Sequence, residues 1–297
     1  MMGNLKLKLN ETAYRILDDL GKRERIDTFE FETITGRVRI LDLGVNANIN
    51  DDKISTFTAE ASMGGLGTVR IKKNYVHVEI AENPAIATMS CQLAGWAIRI
   101  NSKRVPGSGP ARILARKPRE MIDRIGYYEV SEKAALLLET DRLPDDRVCN
   151  LLDEINSKEL IIGAFSANSR VGVINILSRV VEVALFRLYS LGYDVRRVIS
   201  AEGTVPIPKD SGDIMFASND AIIYSSIVVL SVDGWNPQLT DKAVSSSSRF
   251  YGKRFKEIFQ EVGDFYNIDP EIFSPAELRI VDVKNNVEHH AGGIRDF

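Results

Sequence analysis

The chain has 297 residues, 44% of them hydrophobic and 27% charged, with a formal net charge of −3. This balance fits a globular protein with ample core and argues against nucleic acid or an anionic membrane as the main partner. Cys91 and Cys149, the two cysteines, exclude a disulfide framework and have no metal spacing. No apolar run approaches the ~20 residues that cross a bilayer and no signal-peptide stretch opens the chain, so a cytoplasmic protein is expected.

Asn10 is placed to cap a first helix, with Ala13, Ile16, Leu17 and Leu20 on one face and Gly21 closing it. FEFETITGRVRILDLG then reads as an antiparallel hairpin turning at Thr35-Gly36. The glycines of Ser62 to Gly67 have the wrong spacing for a dinucleotide fingerprint and lead into a strand. Gly64 and Gly65 instead suit a tight turn or a close backbone approach. A second hairpin follows, turning at Lys73-Asn74. Two early hairpins exclude a fully parallel, doubly wound sheet.

Asn83-Pro84 marks a helix start, and the helix PAIATMSCQLAGW is rich in small residues that allow close packing. Gln92 is its one long polar side chain, either a core amide bonded to backbone or a ligand contact. After the strand AIRI, the stretch Arg104 to Arg112 is a Gly/Ser turn running into a helix at Pro110. Ser108 and Gly109 with nearby Arg112 would suit a phosphate or carboxylate, or form an ordinary turn. A turn at Leu143 to Asp146 precedes another helix, and a domain junction is expected at Ser157, dividing the chain into 1–157 and 158–297.

Leu160 to Phe165 has the apolar pattern of a buried strand. Ser166 to Ser169 would cap one helix running from about Val171 to a stop at Gly192. On that helix Arg179 and Glu182, three apart, share a side with Val183 and Phe186 beside them. They are either a surface ion pair, worth roughly 0.2–0.5 kcal/mol, or a half-buried carboxylate held by a guanidinium, as a cleft uses. A Gly/Pro loop is expected from Ala201 to Asp213. Asn219 and Asp220 would stand at the mouth of a buried strand, where binding groups often sit. The serine run Ser245 to Ser248 precedes a helix from about Arg249, and FSPAELRIVDVKNN contains another strand. His289 and His290 are neighbours that face opposite ways in a strand, so shared metal ligation is not expected. The fold class is α+β: two mixed α/β domains with antiparallel strand pairs and a cleft between them.

Six stretches, in order, cover most of the chain: MGGLG (Met63 to Gly67), NPAIATMSCQLAGW (Asn83 to Trp96), GSGPARILARKP (Gly107 to Pro118), SRVVEVALFRL (Ser178 to Leu188), NDAIIY (Asn219 to Tyr224) and FSPAEL (Phe273 to Leu278). Together they resemble the methenyltetrahydromethanopterin cyclohydrolases of one-carbon metabolism in archaea and some bacteria. The resemblance implies a homotrimer and hydrolysis of a cationic methenyl bridge on a reduced pterin to a formyl group. It implies no metal and no redox cofactor, since the amidinium carbon is already electrophilic. The Arg-x-x-Glu motif of the family falls on Arg179 and Glu182. Glu182 would take a proton from the attacking water, and Arg179 would orient that carboxylate and keep it ionised. Gly64, Gly65, Gln92, Ser108, Gly109, Arg112, Asn219 and Asp220 would line the substrate pocket, with the Ser108 turn and Arg112 on an acidic or phosphorylated tail.

The chain departs from the family pattern at named places. Glu82-Asn83-Pro84 stands for Asp-His-Pro, Phe216-Ala217-Ser218 for Gly-Arg-Thr, and Ser225-Ser226 for Gly-Gly. Losing a cation near a binding loop weakens the hold on an anionic tail. These departures define the alternatives of a paralogue acting on another pterin or folate-like ligand, or a non-catalytic homologue.

Overall fold

A computed structural model describes residues 7–100, 103–209, 213–263 and 267–295. The first half of the chain gives α1 (Leu9–Arg23), β1 (Thr28–Glu32), β2 (Arg37–Asp42), α2 (Asp52–Ser62), β3 (Thr68–Lys72), β4 (Tyr75–Ile80), a π-helix (Ile86–Gln92), β5 (Trp96–Ile100), β6 (Lys103–Ser108), α3 (Ala111–Ala115), α4 (Arg119–Ile125) and β7 (Lys133–Glu139). The second half gives α5 (Leu151–Ile155), β8 (Glu159–Phe165), α6 (Arg170–Ser178), α7 (Val180–Ser190), β9 (Val198–Pro206), α8 (Ile214–Ser225), β10 (Ile227–Val232), α9 (Phe255–Val262), β11 (Glu277–Asp282) and β12 (Val287–Gly292). The α+β class holds, in two compact units: Met1–Leu66 with Ser90–Val171, and Gly67–Met89 with Gly172–Phe297. The units interleave along the chain, because β8 pairs between β2 and β7 in the first sheet while β3 and β4 belong to the second.

The first unit holds a six-stranded sheet in the order β1-β2-β8-β7-β6-β5. Its middle strands β2, β8 and β7 are parallel. Strands of that kind are covered on both faces and read as unbroken apolar runs, as AALLL and LIIGAF do. Alternate residues feed two cores. Leu136, Leu138, Leu160 and Ile162 pack on one side, while Ala135, Leu137 and Ile161 meet Ala13, Tyr14, Leu17 and Leu20 of α1 on the other. Both expected hairpins are present, with their turns at the expected residues.

Two local expectations change here. Asn10 lies inside α1, wholly buried, and its amide bridges Pro110 O at 2.9 Å and Ala135 N at 3.3 Å. The cap is Glu129, distant in sequence, whose carboxylate accepts from Leu9 N and Asn10 N at 3.2 and 3.1 Å. Burial raises its pKa from the ordinary carboxylate value, against those hydrogen bonds. Helix α1 also runs past Gly21, whose missing Cβ leaves room for Leu41 Cδ2 at 3.0 Å. Helix α2 had a legible start in Asp51, which accepts from Lys53 N and Ile54 N.

The second sheet runs β12-β11-β10-β9-β4-β3 and is antiparallel except for β10 with β11. Its strands alternate buried and partly exposed residues, as in β10. The expected loop from Ala201 is strand β9 as far as Pro206; positions 210–212 of that stretch lie outside the described residues. Its Gly and Pro misled because the glycine serves packing: a Cβ at Gly203 would lie 2.4 Å from Val180 Cγ1. NDAIIY belongs to helix α8 and not to a strand. A short apolar run cannot by itself distinguish a buried strand from a buried helix. The helix expected from Arg249 begins at Phe255, after Ser245 has turned inward to Ile223 O at 2.5 Å.

Candidate functional site

Glu182 sits in the first turn of α7, 4% exposed, on a helix whose Val180, Val181, Val183, Ala184 and Leu185 are also buried. A carboxylate there gains from the positive end of the helix dipole. Gly203 lets α7 settle directly on β9, with Val180 and Val181 against the strand. At the far end, Arg187 ties α7 to Lys242 O at 2.8 Å and to Glu271 at 3.4 Å. The helix then closes as expected around Gly192, at φ +84.

The single helix expected between Val171 and Gly192 is instead two, broken at Arg179. Ser178 Oγ bonds to Asn175 O at 2.8 Å, a local bond that competes with the helical ladder. Arg179 takes φ −76 and ψ 3, and its carbonyl accepts from Val183 N to begin α7. The break turns Arg179 into a hinge between two helical faces. Its Nη2 donates to Asn175 Oδ1 at 3.5 Å. The two candidates share the start of α7, Arg179 just before the helix and Glu182 in its first turn.

Asn219 and Asp220 occupy the middle of α8, which packs on the same strand β9. The amide of Asn219 donates to Met215 O at 3.0 Å. Asp220 Oδ1 accepts from Phe255 N at 2.7 Å and so caps α9. Burial pushes its carboxyl up to about 6. At the departures from the family pattern, Phe216 meets Phe255 and Phe259 at ring centroids of 6.3 and 5.5 Å. Ser226 Oγ bonds Ile222 O at 2.6 Å and accepts from Ala276 N at 3.2 Å.

In the first unit the candidates converge on Cys91. Gly109 N donates to Cys91 O at 2.8 Å, and Arg112 Nη1 donates to the same carbonyl at 3.2 Å. A Cβ on Gly64 would stand 3.4 Å from Cys91 Sγ, and buried Gln92 follows it in the π-helix. Arg112 is 0% exposed and also reaches Lys117 O at 2.9 Å, so its guanidinium pins two loops together. Ser108 ends β6 and is buried beside it. Gly65, at φ +78, packs on α1 with its missing Cβ 2.7 Å from Thr12 Cγ2. Both glycines therefore serve the turn and the close approach of α1.

Asn175, one turn before Arg179 and wholly buried, was not legible as a candidate. Its only sequence mark is the i, i+4, i+7 spacing of positions 175, 179 and 182.

Comparison with known proteins adds the remaining constraint. A family profile described as cyclohydrolase (MCH) matches residues 8–296. The methenyltetrahydromethanopterin cyclohydrolase of Methanocella arvoryzae is 35% identical over 304 residues, covering 97% of this chain and 95% of the relative. The proteins of that name from Methanospirillum hungatei and Methanoregula boonei are each 34% identical, covering 97% of this chain and 96% of theirs. A match of this length and identity places the chain in the cyclohydrolase family.

Proposed function

We propose that this chain hydrolyses the methenyl bridge of methenyl-tetrahydromethanopterin to the formyl derivative, with Arg179 and Glu182 as the catalytic pair. The carrying observation is Glu182, an acid held 4% exposed at the start of a helix fixed at both ends. In this reading water adds to the cationic bridge carbon while Glu182 takes its proton. The tetrahedral adduct then opens: one C–N bond breaks, the nitrogen regains a proton, and the oxygen becomes the formyl carbonyl. Overall the cation and one water give the neutral formyl product and one proton. Arg179 holds a positive charge near the base and favours its ionised form.

The substrate contacts proposed with this reading are Gln92, Ser108, Gly109, Asn219 and Asp220, with Gly64, Gly65 and Arg112 shaping their backbone. A cytoplasmic homotrimer belongs to the same reading, and sedimentation of the purified chain checks the assembly. Among the described residues no helix is long and apolar enough to cross a membrane.

Loss of the methenyl absorbance on adding protein tests the activity. Acceleration with the methanopterin substrate supports the proposal, and no acceleration with it rejects it. A second substrate reading is favoured by one observation: Ala217 and the aromatic contacts of Phe216 stand where the resemblance places Gly-Arg-Thr. Turnover of a methenyl-folate in preference to the methanopterin substrate would assign the chain to that alternative.

A further inference from the structure

Asn175 is buried completely on α6, and its Oδ1 accepts from the Arg179 guanidinium. That bond orients the amide, with oxygen toward arginine and Nδ2 turned away. Nδ2 is itself buried and, among the described residues, has no hydrogen-bond partner; the same is true of Arg179 Nε. Buried amide donors are almost always paired, and leaving one unpaired costs the whole desolvation of the group. Two such donors, one helical turn apart where α6 gives way to α7, form one side of a hydrogen-bonding site.

We infer that Asn175 holds Arg179 in place through Oδ1 and donates from Nδ2 to a ring acceptor of the bound substrate. The ligand's identity rests on the cyclohydrolase reading. The acceptor's chemistry rests on the donors alone: a carbonyl oxygen or an unprotonated ring nitrogen, such as a pterin offers. The cationic bridge does not qualify, having no lone pair to accept and a like charge to Arg179. Nor does the attacking water. Asn175 stands on α6 and Glu182 on α7, on opposite sides of the break at Arg179. Asn175 therefore binds a remote part of the substrate, and a contact made equally in the ground and transition states acts on substrate affinity more than on the chemical step.

Two variants separate its two roles. Asn175→Asp keeps an oxygen for Arg179 and replaces the donor by a second acceptor. It should raise KM about tenfold or more, with a much smaller fall in kcat. Asn175→Ala removes both, so kcat should fall as well. Melting curves of each show whether the fold survives. Fluorescence titration with tetrahydromethanopterin, which has no bridge to hydrolyse, gives a binding constant that needs no turnover. Weaker binding by Asn175→Asp supports the inference even if wild type proves inactive, which would remove the cyclohydrolase reading alone. Unchanged KM and binding in a folded Asn175→Asp, with wild-type turnover intact, would overturn the inference and leave that reading standing; it would mean that a structural water satisfies Nδ2. A wild-type chain that neither binds nor turns over the pterin would overturn both.

Discussion

The two sheets have the same number of strands and solve different problems. In the first, parallel β2, β8 and β7 are buried on both faces, and the side chains that resemble a binding site are locked to backbone. In the second, the strands alternate, and α7, laid on β9, carries a buried acid, while Asn175 on α6 and Arg179 at the break each hold a buried donor without a partner among the described residues. The difference is clearest in two arginines. Arg112 donates from Nε and Nη1 to Lys117 O and Cys91 O, while Arg179 donates from Nη2 to the side chain of Asn175. One grips loop backbone; the other grips a side chain one turn back.

The largest expected effect lies in the second unit. Glu182→Gln keeps size and hydrogen bonding but cannot take the proton, so kcat should fall about 10²–10⁴-fold with an unchanged melt. Arg179→Ala should be damaging too, and the double variant little worse than the worse single, since groups acting as a unit do not add. Near-wild-type turnover in Glu182→Gln would dismiss the mechanism.

Arg112→Ala should show the reverse pattern. It leaves a cavity and strips donors from buried carbonyls, at about 3 kcal/mol of stability by denaturant titration. Arg179→Ala should lose less, about 1 kcal/mol in the same titration, since it strips a long bond from Asn175 Oδ1. Equal losses from the two would erase the distinction between scaffold and site.

A pair of glycines sharpens it further. At Gly203 the obstacle to a Cβ is Val180 Cγ1 at 2.4 Å, on a β-branched residue with few alternative rotamers. At Gly163 the obstacles are the ends of Leu137 and Leu43, each at 2.8 Å. Gly203→Ala should cost about 1–3 kcal/mol and lower turnover by lifting α7, whereas Gly163→Ala should cost less and leave kcat alone. Equal effects on turnover would argue that the position of α7 is not critical.

Asp220 gives the smallest effect. Its folded pKa, about 6, lies above the ordinary carboxylate value. Between roughly pH 4 and 6 the folded chain therefore binds more protons, and stability falls as pH rises through that window. Above it the cost of the buried charge is fully present. Asp220→Asn should raise stability at pH 7–8 by on the order of 1 kcal/mol, less than the shift alone implies because water screens a partly exposed group. The gain should vanish below about pH 4. A constant difference at every pH would mean that the cap on Phe255 N, not the charge, is what matters.

Much of this was legible in the sequence. Both hairpins declared themselves through alternation and turn residues, and strand β8 through its unbroken apolar run. Glu182 and Arg179 were marked by charge on an otherwise apolar helix. What stayed hidden depended on tertiary contact. Gly203 looks like a loop residue until Val180 is seen above it. Asn10 looks like a cap until Glu129 takes that role. The break at Arg179 needs the bond between Ser178 and Asn175, and Asn175 itself is an ordinary helical asparagine in sequence.

The interleaved order of the strands matters most while the chain is being made. The hairpin β3–β4 leaves the ribosome early, yet β4 pairs with β9, where Ile80 meets Ala201 and Tyr75 meets Pro206. Through synthesis of everything between, β4 presents an open hydrogen-bonding edge to its surroundings, with Val76, Val78 and Ile80 awaiting cover. Arg70, Lys72, Lys73 and Glu79 on the same hairpin supply the charge that discourages a neighbouring nascent chain from docking first. Neutralising those charges should cost the finished protein little and its yield a great deal.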